Sequence, residues 1–217
     1  MDAQLLSSLW TATLETFYMV AVSAVLAAVL GLPLGLLLVV TSPKGFVPRP
    51  ALYQVLGAVV NAGRSLPFII LLVAIIPLTR LIVGTTIGST AALVPLTLSA
   101  IPFYARVAET SLLEVDKGLV EAAESMGCSY WQIMRKVLIP EALPSLVLGL
   151  TIMVISLIGY SAMAGVVGGG GLGDLAIRYG YQRFDTRVML ITVVLLMVLV
   201  QGVQWLGDAV ARQMRRR

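Results

Sequence analysis

Five apolar stretches, each long enough to cross a bilayer, restrict this sequence more than any other feature. A helix needs about 20 apolar residues to span the hydrocarbon core of a bilayer. We predict spans at about residues 17–40, 52–76, 91–113, 143–166 and 188–210. Charged residues make up only 12% of the chain, whereas soluble domains carry about 25%. The sequence therefore predicts one all-α transmembrane domain that covers residues 1–217.

Two of the predicted spans are interrupted. In the first, GLPLG (Gly31 to Gly35) matches the GxxxG pattern that lets membrane helices approach closely. In the second, Arg64 lies within the apolar run and Pro67 follows it. We expect the second segment to begin as an interfacial helix and to enter the membrane near RSLPFIILL.

The distribution of basic residues predicts the orientation of the spans. If the N-terminus lies outside, the inner segments hold ten basic residues: Lys44, Arg49, Arg106, Lys117, Arg135, Lys136, Arg212, Arg215, Arg216 and Arg217. The outer segments then hold four: Arg80, Arg178, Arg183 and Arg187. Because cytoplasmic loops are enriched in Lys and Arg, we expect the N-terminus outside and the C-terminus in the cytoplasm. The first span lacks a preceding Lys or Arg and is longer than the core of a signal peptide, so we expect all 217 residues in the mature protein.

Composition argues against several classes of function. The net charge is only +4 and the basic residues are scattered, which is unlike a nucleic-acid-binding surface. With one Cys and no His, the chain can supply neither a disulfide framework nor histidine-based zinc or acid–base chemistry. It also lacks the GxxxxGK[ST] motif that holds the phosphates of ATP. We therefore expect no catalytic, cofactor-binding or metal-binding residues in this chain.

A polar, amphipathic loop at residues 114–142 separates the third and fourth spans on the predicted cytoplasmic side. Its apolar and small residues follow helical spacing: Leu119, Ala122, Ala123, Met126, Tyr130, Ile133, Met134 and Val137. Asp116 is placed to cap the helix, and Gly127 allows a bend. We expect Pro140 and Pro144 to end this helical pattern before the fourth span.

Two interpretations fit this loop. It could lie on the bilayer surface, but the polar side of its first half holds Asp116, Glu121 and Glu124 against Lys117 alone, and acidic groups are repelled by anionic lipid. The alternative is a protein partner, which Ala122, Ala123 and Gly127 would allow to approach closely. The motif that contains Ala122, Ala123 and Gly127 favours a protein partner.

EAAESMG at Glu121–Gly127, followed by VLIP at Val137–Pro140, resembles the EAA signature of bacterial ABC importer permeases. That signature reads EAA, three residues, G, nine residues, then IxLP. Val137 and Ile139 replace its usual Ile and Leu. The stretches RSLPFIILLVAIIPLTRLIVGTTIG, ALVPLTLSAIPFYARVAE and GYSAMAGVVGGGGLGDLAIRYGY are similar to the permeases of methionine-type ABC importers. We call residues 114–142 the EAA loop.

The resemblance implies a type I ABC importer permease with five transmembrane helices in the bacterial inner membrane. Two copies would assemble with two ATPase subunits, which bind ATP and Mg²⁺, and an extracytoplasmic binding protein would deliver the substrate. Glu121 would make polar contacts with the ATPase, Ala122 and Ala123 would allow close packing, and Gly127 would allow the turn; Pro140 completes the motif. The chain itself would be a permease and not an enzyme.

Tyr160 and Met163 are candidates for the translocation path. They are three residues apart and share one side of the fourth span. Ordinary helix packing would explain either residue alone, but an aromatic ring beside a thioether is a soft surface suited to a methionine side chain. We predict that they line the path for methionine, in the L form, the D form or both.

Other ionisable and glycine residues have simpler interpretations. We expect Arg106 to pair with Glu109 and Arg64 to extend to the inner interface, and we assign none of the three as a substrate ligand. GGGGLGD matches GxGxxG at Gly168, Gly170 and Gly173, but it follows a span and not a strand, which makes it a very weak match to a dinucleotide-binding fingerprint. We expect a flexible outer loop or a re-entrant turn, which by resemblance would gate the outer mouth or touch the binding protein.

Three alternatives to a methionine permease remain. The first is an ABC permease for another small amino acid. The second is an ATP-independent secondary transporter or channel, although the first, fourth and fifth spans lack the internal acidic residues that ion coupling often uses. The third is a membrane-embedded enzyme, which the absence of His and of paired mid-span carboxylates makes least consistent with the sequence.

Overall fold

The computed structural model describes residues 3–215, and those residues form helices joined by short turns. In chain order, the α-helices are α1 (Ala3–Thr41), α2 (Pro50–Ser65), α3 (Phe68–Ala74), α4 (Ile76–Val83), α5 (Ser89–Leu113), α6 (Lys117–Ser125), α7 (Tyr130–Ile133), α8 (Ile139–Gly165), α9 (Gly171–Leu175) and α10 (Thr186–Arg215). Two π-helical segments, Met134–Leu138 and Ala176–Tyr181, join neighbouring elements. Four helical segments are long and apolar enough to cross a membrane, or five if the bent pair α2–α3 counts as one span.

Helices α1 and α5 form the centre of the fold and run in the same direction. A Cβ on Gly31 would lie 3.0 Å from the Ile101 carbonyl oxygen, and a Cβ on Gly35 would lie 2.7 Å from that of Ala105. Only glycine therefore lets the two backbones come this close. The GLPLG stretch is thus confirmed as a packing site, and its partner is α5.

The predicted second span is broken by a sharp bend. Helices α2 and α3 meet at 100° across Leu66 and Pro67. Leu66 is extended, as expected for a residue before proline, and Pro67 cannot donate a hydrogen bond to continue α2. On the near side of the bend, α2 packs along α1 and α5 through Val60, which is 1% exposed.

The helix that begins in the second half of the EAA loop does not end at Pro140 or Pro144. Tyr130 to Gly165 forms a single helical segment of 36 residues, which is about 54 Å long. The expectation that Pro140 and Pro144 would end the pattern was wrong. Pro140 lies in the first turn of α8, directly after the π segment, where the Ile139 N–H donates to the Met134 carbonyl five residues back. Its missing N–H therefore falls at the change from π to α bonding, where proline is tolerated.

The segments predicted to be cytoplasmic gather at one end of the bundle. Ser111 near the end of α5, Pro140 at the start of α8 and Arg215 at the end of α10 line one cavity of about 560 Å³. At the other end, the backbone of Gly88 bonds to that of Gly168, and α1 contacts α9. This arrangement is consistent with the predicted orientation, which remains a prediction.

Candidate functional site

The first half of the EAA loop is a short helix with a defined start. The Asp116 side chain accepts a hydrogen bond of 2.6 Å from the Gly118 N–H at the start of α6. This satisfies one of the N–H groups that the first turn of a helix leaves without a partner. The predicted cap at Asp116 is therefore confirmed.

Gly127 forms the turn between α6 and α7. Its φ is +77°, in the left-handed region, and the Gly127 N–H donates to Glu124 while the Cys128 N–H donates to Ala123. This pair of bonds is the Schellman arrangement, which favours glycine at this position. A Cβ on Gly127 would meet no atom within 4 Å. Backbone conformation alone therefore requires glycine here, and the space outside the turn is open.

The two alanines of the EAA motif differ in environment. Ala123 is 3% exposed and lies in a buried cluster with Ala108 and Leu112 of α5. Ala122 and Glu121 are exposed. The small side chain of Ala123 is thus used to seat α6 on the bundle, whereas Glu121 and Ala122 are free to meet another protein.

Four large apolar side chains are exposed around the Gly127 turn, and we call them the docking patch: Leu119, Met126, Tyr130 and Trp131. Met126 is 77% exposed and Trp131 is 66% exposed. Leu119, Met126 and Tyr130 belong to the apolar pattern seen in the sequence, and the structure leaves all three exposed. Trp131 was missed because it lies outside the apolar pattern, although a large aromatic at a polar position is itself a signal of an interface.

The docking patch is held by contacts inside the chain. Ser129 and Gln132 form a reciprocal capping box at the start of α7, which fixes the entry to that helix. The Tyr130 ring lies 5.5 Å from the ring of Phe46, in the loop between α1 and α2. Ile133 is completely buried beneath α7. Pro140 is exposed farther along the same helical segment, at the edge of the 560 Å³ cavity.

Tyr160 and Met163 lie on α8, the continuation of the helical segment that carries Tyr130 and Trp131. The Tyr160 ring stacks on Phe68 of α3 with centroids 4.7 Å apart and planes 7° apart. Met163 is 46% exposed. The structure thus provides the aromatic and thioether groups at neighbouring positions, and it adds Phe68, which sequence spacing could not connect to Tyr160.

Arg106 and Glu109 form the predicted ion pair, with 2.5 Å between Nη1 and Oε2. The structure adds two partners from α2. Arg106 Nη2 donates to Asn61 Oδ1 at 2.7 Å, and the Tyr53 hydroxyl donates to Glu109 Oε1 at 3.1 Å. Glu109 is only 2% exposed, so its charge is neutralised and hydrogen-bonded as burial requires. This network ties α2 to α5 and leaves no free group on Glu109 for a ligand.

The glycine-rich stretch forms a packed turn and not an open loop. Gly168, Gly170 and Gly171 have φ values of +80°, +77° and +77°. Glu15 Oε2 accepts from the Gly171 N–H at 2.7 Å, and Thr16 Oγ1 accepts from the Leu172 N–H at 2.9 Å. These bonds from α1 fix the start of α9. The turn is therefore a fixed part of the end opposite the EAA loop.

Comparison with known proteins places this geometry among transport permeases. The family model described as "Binding-protein-dependent transport system inner membrane component" matches residues 31–216. The chain is 57% identical over 209 residues to the probable D-methionine transport system permease protein MetI of Vibrio cholerae, covering 96% of this chain and 93% of that one. It is 44% identical to the methionine import system permease protein MetP of Bacillus subtilis, covering 98% and 96% of the two chains.

Solved structures agree with the sequence relatives. A chain described under "Inward facing conformations of the MetNI methionine ABC transporter" matches with a TM-score of 0.96 and 49% identity, covering 99% of both chains. A chain of an amino acid ABC transporter crystallised with histidines matches with a TM-score of 0.79 at 20% identity, covering 98% of this chain and 100% of that one. The second match supports similarity of fold alone.

Proposed function

Since this chain belongs to the binding-protein-dependent transport system inner membrane component family and is a permease subunit of an ABC transporter, we propose that it imports methionine, in the L form, the D form or both. Its all-helical architecture is the type I ABC importer permease fold, and it is a multi-pass protein of the inner membrane. The proposal concerns the substrate, the partners and the residues that act.

The continuous helical segment from Tyr130 to Gly165 supports the proposal most directly. One end of this segment carries Tyr130 and Trp131 of the exposed docking patch, and the other carries Tyr160 and Met163. The segment runs from α7 through the π segment into α8 without an intervening loop, so its two ends are directly connected. Movement of a partner on the docking patch would therefore move the part of α8 that borders the substrate path.

The partner at the docking patch is an ATPase subunit, one for each of two permease copies. Similarity to a methionine ABC transporter supports this partner. Glu121 and Ala122 are exposed beside the patch and would contact the ATPase, while Gly127 sets the turn that presents it. ATP and Mg²⁺ would be bound by the ATPase, and the permease would hold no cofactor of its own.

ATP binding would draw the two ATPase subunits together and rock the permease dimer from an inward-open to an outward-open state. An extracytoplasmic binding protein would deliver methionine to the outer end, where the Gly168–Gly173 turn lies. After hydrolysis the path would open inward, and Tyr160 and Met163 would guide the side chain of the substrate. This cycle requires the N-terminus outside and the EAA loop in the cytoplasm.

Uptake by the reconstituted complex tests this function. Vesicles that contain the permease, its ATPase and its binding protein should accumulate labelled methionine when ATP is present. Labelled small neutral amino acids other than methionine test the alternative of a different substrate. Uptake without ATP or without the ATPase subunit would instead indicate a secondary transporter.

Variants at the path test the residue assignment separately. Tyr160→Phe and Met163→Ala should lower uptake while ATP hydrolysis stimulated by the binding protein persists. Normal uptake in both variants would remove these two residues from the path and would leave the permease assignment intact.

A further inference from the structure

Arg64 lies level with the middle of the predicted span that α5 forms. Its neighbour Gly63 packs against Pro102, where a Cβ would lie 2.9 Å from the proline ring. Pro102 is the central residue of the predicted span 91–113, and Leu113 lies eleven positions farther along α5, a rise of about 16 Å. This depth argues against the expectation that Arg64 reaches the inner interface.

Arg64 is also on the protein side of α2. Gly57, Val60 and Arg64 are spaced i, i+3 and i+7, so they share one side of the helix. Val60 is 1% exposed against the bundle, and a Cβ on Gly57 would lie 3.9 Å from Nη2 of Arg106. Arg64 is nevertheless exposed, because α2 ends at Ser65 and the chain then turns by 100°. Arg64 therefore lies on the same side of α2 as Val60, the side that packs on the bundle, and its side chain is exposed beyond the last contact of that helix.

The charge of Arg64 has no partner among the residues that the structure describes. Arg106 binds Glu109 and Asn61, but across residues 3–215 Arg64 makes neither an ion pair nor a side-chain hydrogen bond. A guanidinium at this depth is costly unless it meets water or a counter-charge. Of these two arginines, Arg106 thus stabilises the fold, and Arg64 is left available for a group from outside the chain.

Arg64 is close in the chain to Phe68, which contacts a candidate for the substrate path. Phe68 follows it by four residues, so their Cα atoms are at most about 14 Å apart. Phe68 stacks on Tyr160, and Met163 lies one helical turn beyond Tyr160. A cation, an aromatic pair and a thioether are therefore carried by the end of α2, by α3 and by the part of α8 that α3 contacts.

We propose that Arg64 binds the α-carboxylate of the amino acid as it crosses the membrane. A guanidinium offers two parallel N–H donors that match a carboxylate, and it stays protonated at any physiological pH. Tyr160 and Met163 then contact the side chain of the same molecule. This inference rests on the proposed function, because it assumes that an amino acid is the substrate.

Charge substitutions at Arg64 test the inference in the complex of permease, ATPase and binding protein reconstituted in vesicles. The quantity measured is methionine imported per ATP hydrolysed. Arg64→Gln should lower this ratio about tenfold, Arg64→Lys should retain more of it because the charge remains, and Arg64→Glu should lower it most. Arg80→Gln is the matched control. Arg80 is also an exposed arginine in the last turn of a helix, but that helix is α4, which follows the bend between α2 and α3.

A structural role for Arg64 would give a different result. If Arg64 binds substrate and has no partner in the fold, Arg64→Gln should leave the thermal midpoint of the complex unchanged or higher. The size of the complex in gel filtration should not change either. If Arg64→Gln dissociates the permease copies, Arg64 contacts the second copy and the inference is overturned. An unchanged import ratio in Arg64→Gln also overturns it. If the wild-type complex imports no amino acid, the failure lies with the proposed function instead.

Discussion

The two glycine turns at opposite ends of the molecule use glycine for different reasons. At Gly127 the backbone is left-handed, but a Cβ would meet no atom within 4 Å. At Gly171 the backbone is also left-handed, and a Cβ would lie 2.7 Å from Thr16 Oγ1 and 2.8 Å from the Met19 methyl carbon. The first turn is surrounded by open space, and the second is surrounded by the chain itself.

This difference indicates which of the two turns is held by contacts within the chain. The Gly168–Gly173 turn has its hydrogen bonds supplied by Glu15 and Thr16 of α1. The Gly127 turn is flanked by Met126 and Trp131, two large apolar side chains that the chain leaves exposed. An exposed apolar group rimmed by polar residues is typical of an interaction surface. The comparison therefore predicts that substitutions at the Gly127 end impair assembly and coupling, whereas those at the other end impair folding.

Gly127→Asp should have the largest effect on transport. A non-glycine residue at this φ is strained by about 1–2 kcal/mol, and displacing contact groups by about 1 Å can lower activity about 100-fold. We expect ATP-dependent uptake to be lost while the protein is inserted at normal levels. Gly84→Asp is the matched control, because Gly84 has a φ of +81° and equally open surroundings but lies on the opposite side. Wild-type uptake in Gly127→Asp would refute the coupling role.

Gly173→Ala should have the largest effect on stability. Its Cβ would overlap the backbone of Ala162 on α8, and overpacking against backbone destabilises by about 3 kcal/mol. The thermal midpoint should fall by about 6–12 °C, measured by unfolding of the purified protein in detergent. Gly202→Ala, where a Cβ meets no atom within 4 Å, should leave the midpoint unchanged. Equal thermal midpoints for Gly173→Ala and Gly202→Ala would contradict the prediction that substitutions in the Gly168–Gly173 turn impair folding.

Trp131→Ala should weaken assembly without weakening the fold. Loss of a central aromatic contact at an interface costs about 2 kcal/mol, or about 30-fold in affinity. We expect this loss in a titration of the ATPase against the purified permease, with no change in thermal midpoint. Trp10→Ala is the control, since Trp10 and Trp131 are both 66% exposed. Unchanged affinity for the ATPase in Trp131→Ala would show that Trp131 does not contribute to ATPase binding.

Glu15→Gln should have the smallest effect, because glutamine still offers an acceptor to the Gly171 N–H. Replacing a charged acceptor by a neutral one costs about 1 kcal/mol, so we expect a thermal midpoint lower by about 3 °C. Glu124→Gln, in an exposed position on α6 at the other end, should have no measurable effect on the midpoint. A larger loss in Glu124→Gln than in Glu15→Gln would contradict the role of Glu15 in holding the turn.

Sequence patterns predicted the elements whose causes are local. Apolar runs predicted the membrane helices because their length is set by bilayer thickness. Asp116 and Gly127 were correctly assigned to a cap and a turn because capping depends on a few neighbouring residues. The EAA motif identified the family from a fixed spacing in one loop. The helix ends were less predictable. Pro140 was predicted to end the helix, but the helix continues past it because a π segment directly precedes α8.

The sequence by itself determined that this protein is a membrane permease, since hydropathy, charge distribution and the EAA motif are properties of the chain order. Tertiary structure decided which of these residues face inward and which remain available. It buried Ala123 but exposed Ala122, and it stacked Phe68 on Tyr160. Within residues 3–215 it paired Arg106 with Glu109 and gave Arg64 no ion-pair partner. The physical reason is that contacts between residues far apart in the chain depend on how helices bend and cross, and periodicity within one helix carries no information about its neighbours.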